Sequence, residues 1–180
     1  MVHKIVDENL VHQRRIRSFK TINKSDFLIN FVADEFIHRL SLINRDFIDV
    51  YQVHGGNKNP LDKMVLSNLF RNNETAIHYV DVAPFDAKQL LISSSLEQIS
   101  IETNNADLIL SPLHLHLCND MPGVLTQINR ALKPDGLFMG AMIGANSLHE
   151  LRYCLAKADQ YLYGGIYPRI LPFADIKDIG

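Results

Sequence analysis

Apolar positions along the chain switch between a helical period and a strand period. Phe27, Leu28, Phe31, Val32, Phe36, Ile37 and Leu40 recur at spacings of three and four, with Asp34, Glu35 and Arg39 on the other side. This predicts an amphipathic helix that starts at Ser25-Asp26. Phe47 to Val53 is rich in β-branched and aromatic residues and stops at His54-Gly55-Gly56-Asn57, a strand followed by a turn. Helical spacing returns from Leu61 to Phe70. Thr75 to Val82 reads as a second strand ending at Ala83-Pro84, and Phe85 to Leu91 as a short helix or turn. Ala106 to Leu110 is almost continuously apolar, the pattern of a strand covered on both faces. Met121 to Leu132 is helical, Lys133-Pro134-Asp135-Gly136 breaks it, and Leu137 to Ile143 is another buried strand. Ser147 to Tyr161 is a helix, with Ser147 as N-cap and Glu150 completing a capping box.

Strands alternating with helices at this spacing predict βαβ units and a parallel sheet. No linker divides the chain, so one domain is expected over 1–180: a helical cap segment at 1–40 and an α/β core at 45–180. The 180 residues are 47% hydrophobic and 21% charged, which excludes a disordered or low-complexity chain. A net charge of -2 provides no field for nucleic acid, and none is expected as a partner. The charge is uneven: residues 1–24 sum to +4 and the remainder to −6. A basic arm of this kind either meets an acidic partner or folds back onto the acidic body. Two cysteines suit a reducing compartment, and the longest apolar stretch, Gly136 to Ala145, is too short to span a bilayer. The N-terminus has no secretory pattern, and a cytoplasmic location is expected.

In a parallel sheet, ligands bind beyond the carboxyl ends of the strands. Three segments therefore draw attention: His54–Asn57, Asp81–Pro84 and Ser111–Asn119. Asp81, at a strand end, is either an acceptor for a ribose diol or a turn and capping residue. Gly55-Gly56 either lets backbone approach a ligand or forms a plain turn. Neither a G-x-G-x-x-G pattern nor a G-K-[ST] pattern occurs. His114, His116 and Cys118 alternate and would share a face if extended, but a fourth ligand is lacking and no metal is expected. His116 reads as a general base or polar wall, or as a structural histidine; Cys154 reads as a core residue.

Asp107-Leu108-Ile109-Leu110-Ser111, Leu113-x-Leu115-His116, Asn119-Asp120 and Leu132-Lys133-Pro134-Asp135-Gly136 together resemble the fourth strand, loop and helix of class I S-adenosylmethionine-dependent methyltransferases. Gly140-Ala141-Met142-Ile143-Gly144, Ser147-Leu148-x-Glu150-Leu151-Arg152 and Pro168-Arg169-Ile170-x-Pro172-Phe173 are similar to one branch. That branch contains the biotin-synthesis malonyl-carrier-protein methyltransferase and a mitochondrial complex I assembly factor. The resemblance implies a Rossmann-like parallel sheet flanked by helices, of methyltransferase type. It also implies S-adenosyl-L-methionine as cofactor, held by Gly55, Gly56, Asp81, Val82, Ser95, Ser111 and His116, with no catalytic residue assigned. Asp81 matches the ribose-binding acid, and Ser95 falls where an acid usually reads the adenine amino group. The family's D-x-G-x-G-x-G loop corresponds to Gln52-Val53-His54-Gly55-Gly56-Asn57-Lys58, with Gln52, His54 and Lys58 in place of an acid and two glycines.

The sequence closes inside the segment resembling the family's last helix, so a sheet lacking the C-terminal β-hairpin is expected. Leu137–Ile143 would then be an exposed edge, covered by a partner or an oligomer. Three functions follow from the resemblance: methyl transfer to a small-molecule or protein acceptor, a catalytically inactive assembly or interaction module, or a different modification such as arginine hydroxylation.

Overall fold

The computed structural model describes residues 4–18, 26–55, 59–66, 69–70, 74–82 and 90–179. They form two compact units, Met1–Met142 and Ile143–Gly180. In the first, helices α1 (Glu8–Ser18) and α2 (Phe27–Ser41) precede strand β1 (Asp49–Val53) and helix α3 (Asn59–Leu66). Strands β2 (Ala76–Asp81), β3 (Leu90–Ile92) and β4 (Ala106–Pro112) follow, then helix α4 (Met121–Ala131) and strand β5 (Leu132–Ala141). The five strands lie in the order β3-β2-β1-β4-β5, and every pairing is parallel. The parallel α/β sheet expected from the alternation is present.

Strand periodicity sorts the core into two layers. Val50, Leu108 and Leu110 pack with Val32, Phe36 and Leu40 of α2 and with Leu61 and Met64 of α3. The alternate residues Tyr51, Val53, Val80 and Ile109 pack with Val124 and Ile128 of α4. Both faces are covered, which is why β4 reads as an almost continuous apolar run rather than as alternation. Chain order reverses between β1 and β4, and that switch point opens beyond Val53, Asp81 and Pro112.

Several local expectations change. Leu90 and Leu91 belong to β3, hydrogen-bonded beside β2, rather than to a helix or turn; three residues are too few to show a period. Lys133 to Gly136 lie within β5, where the register against β4 shifts and Asp135 takes φ 63°. The strand ends at Ala141, before Met142 and Ile143. Asp26 precedes α2 without a side-chain capping bond. β5 is the edge strand, and among the described residues no strand pairs with its outer side.

The amino ends of the strands are tied by charge. Asp107 Oδ2 accepts from the Ile48 and Asp49 amides at 3.1 and 2.9 Å. Lys133 Nζ bridges Asp49 Oδ2 at 2.6 Å and Asp107 Oδ2 at 3.1 Å. The ammonium and the two amides hold the Asp107 carboxyl below its ordinary range against the opposing effect of burial, the largest single influence on it. Lys133→Met leaves two carboxylates facing each other and is expected to cost about 1–3 kcal/mol. A urea midpoint within error of wild type would contradict this role.

In the second unit, helix α5 spans His149–Tyr163 and α6 spans Ile176–Ile179. The N-cap of α5 is Leu148, at φ 58° and without a side-chain cap, so the expected Ser147 capping box does not form. Asp159 accepts from Arg169 Nε at 2.8 Å and from the Tyr167 amide at 3.2 Å, fastening the chain that follows α5 back onto it. Cys154 is exposed on α5 rather than part of a core.

Candidate functional site

Parallel register places the ends of β1, β2 and β4 side by side. Val53 pairs with Val80, and the next amide, that of His54, donates to Val80 O at 2.7 Å. Asp81 therefore stands next to His54 at the mouth of the sheet, and Ser111 and Pro112 close β4 on the other side. The Asp81 residue is only 1% exposed. One of its oxygens, Oδ1, accepts from the Val82 amide at 2.8 Å and from Arg15 Nη1 at 3.1 Å.

Arg15 comes from α1. Its guanidinium also donates to His54 O at 3.0 Å and approaches His114 Nδ1 at 3.2 Å, and its side chain is 11% exposed. The imidazoles of His54 and His114 are fully buried and lie 4.4 Å apart, centroid to centroid. His114 Nε2 lies 2.8 Å from Leu96 O, and His54 Nε2 lies 3.2 Å from Gln98 O. A carbonyl can only accept, so each ring carries its proton on Nε2 and presents a lone pair at Nδ1. On His114 that lone pair receives Arg15.

Burial pushes the pKa of His54 down to about 4, with Arg15 adding to the effect and Asp81 opposing it. Burial also lowers His114 well below its ordinary value, helped by His54 and Arg15. His116 falls to about 4 through burial and Arg15. The cluster thus holds three neutral imidazoles around one carboxylate and one guanidinium at neutral pH.

The turn after β1 is built from this chain's own substitutions. His54 has φ 54°, the left-handed conformation for which the resembling family uses glycine. A Cβ on Gly55 would lie 2.6 Å from Gln52 Nε2 and 2.9 Å from Pro112 Cγ. The space that Gly55 leaves is therefore filled by the Gln52 side chain, whose Oε1 accepts from the Leu61 amide at 3.2 Å. Gly56 lies outside the described residues. Two buried polar atoms at this end of the sheet, His54 Nδ1 and Ser111 Oγ, have no hydrogen-bond partner.

Leu113, at φ 54°, turns the chain after β4, and residues Leu115–Leu117 form a short 3-10 turn. His114, His116 and Cys118 are consequently not extended; Cys118 Sγ lies 3.4 Å from His114 Nε2, and among the described residues no three His, Cys, Asp or Glu side chains are grouped to hold a metal ion. Burial and Glu97 push the Cys118 thiol up to about 12, so it stays protonated.

The N-terminal segment grips the same loops. Asp7 Oδ1 accepts from the Leu10 amide at 3.1 Å and caps α1. Glu8 Oε2 accepts from Ser95 Oγ at 2.6 Å. Asn119 Oδ1 accepts from the Ile5 and Val6 amides at 2.7 and 2.8 Å, and its Nδ2 donates to Val6 O at 3.1 Å. Glu97 Oε1 accepts from the Asp120 amide at 3.0 Å and also from that of Asn119, setting the loop in place. In residues 4–18, the basic arm thus takes the second of its two sequence readings and folds back.

Asp81, Val82 and Ser111 of the expected binding residues converge at the switch point, with Gly55 beside them. Ser95 faces Glu8, and His116 is half-buried on the 3-10 turn. Sequence reasoning missed Arg15 beyond its charge, and missed His54, His114, Asn119 and Glu97 as a connected cluster. The available signals were the basic arm itself and the fit of Ile5-x-Asp7 and Arg14-Arg15 to the resembling branch, which implies an N-terminal segment over the cofactor cleft.

Comparison with known proteins gives three consistent results. A family model described as a methyltransferase domain matches residues 66–140. The mitochondrial arginine-hydroxylase NDUFAF5 of Mus musculus is 34% identical over 160 residues, covering 87% of this chain and 47% of that protein. The malonyl-[acyl-carrier protein] O-methyltransferase of Nitrosospira multiformis is 36% identical over 89 residues, covering 49% of this chain and 27% of that protein. The first of these shows that the chain spans about half the length of the curated relatives it matches. Among solved structures, the plantazolicin methyltransferase BpumL in complex with an analog and SAH superposes with a TM-score of 0.63 at 14% identity, over 92% of this chain and 66% of that one. That likeness is one of fold.

Proposed function

We propose, for a chain that belongs to the class I S-adenosylmethionine-dependent methyltransferases, that the end of the sheet beyond β1, β2 and β4 is an adenosyl-cofactor site serving methyl transfer to a small-molecule or protein acceptor. The observation that carries this reading is the placement of Asp81: a buried carboxylate at the end of β2, directly beside the turn after β1. A carboxylate there can accept two hydrogen bonds from a ribose diol. The chemistry of the surrounding donors suits a polar guest, since Ser111 Oγ and His54 Nδ1 are buried with hydrogen-bonding capacity unused.

When bound, S-adenosylmethionine supplies a methyl group on a sulfonium centre. The chain's own part is to bind, orient and exclude water. In this reading Asp81 holds the ribose, the Val82 backbone and Ser95 border the base, and Gly55, Gly56, Ser111 and His116 wall the methyl-bearing end. No acid or base is assigned. His116 is neutral at pH 7 and itself adds no positive charge to that wall.

Titration with S-adenosylhomocysteine tests the reading by calorimetry. Saturable binding supports it; no heat at millimolar ligand overturns it. The second reading, a methyltransferase fold acting as a non-catalytic assembly or interaction module, is favoured by Gln52, which fills the space beside Gly55. The same titration separates the two. Single-domain organisation over 1–180 and a partner or second copy along β5 belong to this proposal. So does a cytoplasmic location, although the NDUFAF5 relatives are mitochondrial. No helix among the described residues is long and apolar enough to cross a membrane.

A further inference from the structure

The contacts of the N-terminal segment coincide with the places the cofactor reading needs. Asp81, the ribose position, pairs with Arg15 at 3.1 Å. Ser95, at the base position, donates to Glu8 at 2.6 Å. The loop after β4 is engaged by Ile5 and Val6 through Asn119 and by Arg15 through His114. A single continuous segment, 4–18, therefore occupies three separate positions of one cleft. Long-range bonds of this kind, 66 to 114 residues apart in sequence, do not follow from local structure.

The manner of attachment matters as much as its place. α1 contains no buried residue, and Ile5, Leu10 and Ile16 of this segment are exposed. Val6 is the one apolar side chain of 4–18 that enters the core. The segment is held by an ion pair and hydrogen bonds rather than by apolar burial, so its departure exposes little hydrophobic surface. The groups left behind, Asp81 and Ser95, are polar and can take other partners. An attachment that is directional, polar and nearly free of apolar cost is suited to being displaced by a polar ligand.

We propose that residues 4–18 are a displaceable strap: latched by Arg15 on Asp81, they close the adenosyl cleft, and strap docking and cofactor entry exclude one another. This rests on reading the cleft as an adenosyl site. Apparent affinity for the cofactor is then reduced by the fraction of molecules in which the strap is docked. Release of the latch is the step by which a partner, or a rise in cofactor concentration, opens the site. The ion pair makes that step sensitive to ionic strength, though less than a solvent-exposed pair.

The experiment compares the full chain with Arg15→Gln and Asn119→Ala. Amide hydrogen exchange is followed across 4–18, with and without S-adenosylhomocysteine, and affinity is measured by calorimetry. Without ligand, both variants are expected to speed exchange in 8–18 by about tenfold or more, while β1, β2 and β4 keep their protection. Unchanged exchange in Arg15→Gln overturns the latch, whatever happens with ligand. With ligand, the wild-type strap is expected to lose protection, and Arg15→Gln to bind about tenfold more tightly. If the ligand binds but the strap gains protection, or if Arg15→Gln binds more weakly, the segment clamps the cofactor instead; exclusion is then refuted while the cofactor reading survives. If the strap loosens in the variants but none of the three proteins binds, the cofactor reading and the exclusion fall together and the latch alone stands.

Discussion

Asp81→Ala is expected to abolish S-adenosylhomocysteine binding and, separately, to loosen the N-terminal segment. Two charge-assisted hydrogen bonds to a ribose diol are worth about 3–5 kcal/mol together, more than a 100-fold loss of affinity. The same substitution removes the Arg15 latch at 3.1 Å, which by itself would raise affinity about tenfold. The losses outweigh the gain, so the net effect is strongly negative. Arg15→Gln has the opposite sign, and this contrast separates a ribose anchor from a merely structural ion pair.

Stability follows a different balance. Removing one partner of a buried ion pair typically costs about 3–5 kcal/mol because the other charge is stranded. Here Arg15 sits on a helix that buries none of its own residues, so it can swing out and hydrate. The expected loss for Asp81→Ala is therefore smaller, about 1–3 kcal/mol, with faster proteolysis near 4–18. Asp81→Asn, which keeps one acceptor, should fall between. Affinity within threefold of wild type for Asp81→Ala would exclude the ribose role.

Mild acid is expected to destabilise the protein before its carboxylates titrate. The pKa of His54 is lowered to about 4, His114 falls well below its ordinary value and His116 falls to about 4, in each case chiefly by burial. Below pH 6.5 the unfolded chain takes up protons that the folded chain refuses, so stability falls with pH through the window from 6.5 towards 4. Between pH 7 and pH 5 this is worth about 2 kcal/mol for His54, and His114 acts in the same direction. His116, only partly buried, contributes less. Against a total stability of about 5–15 kcal/mol for an ordinary domain, that is a large fraction. The lowered Asp107 carboxyl acts in the same direction, but only below the ordinary carboxylate range.

Urea melts from pH 7.5 to pH 5 read the effect, and His114→Gln should flatten the slope by more than a third, because it removes one of the two fully buried rings. A stability profile that is level from pH 7 to pH 5.5 would show that these rings are not held neutral. The charges that face them are Arg15, against all three rings, and Asp81, against His54. Protonation of His114 also places a cation against the Arg15 guanidinium, 3.2 Å from its Nδ1, so strap release and acid destabilisation should begin together.

The element order and the parallel sheet were legible because they rest on period. β4 is apolar at nearly consecutive positions, β1 and β2 are rich in β-branched and aromatic residues, and α2 and α4 repeat at three and four, so each segment carries its own signal. The place of the candidate site in the fold was legible for a related reason: strand ends at a switch point are fixed by topology, and Asp81 ends a strand. Elements without enough residues to show a period were misread, as at Leu90–Ile92. So were turns whose shape depends on one left-handed residue, such as Leu113 and Leu148.

By itself, then, the amino-acid sequence determined the layered α/β architecture, the family it resembles and the carboxylate at the end of β2. Only the tertiary structure decided what that carboxylate touches. Arg15 reaches Asp81, Glu8 accepts from Ser95, and Asn119 takes the Ile5 and Val6 amides, across 66, 87 and 113–114 residues of chain. Such pairs leave no mark in local propensity. An arginine on a polar helix has the same pattern whether it points to solvent or into a cleft, and only the folding of the segment onto the sheet distinguishes the two.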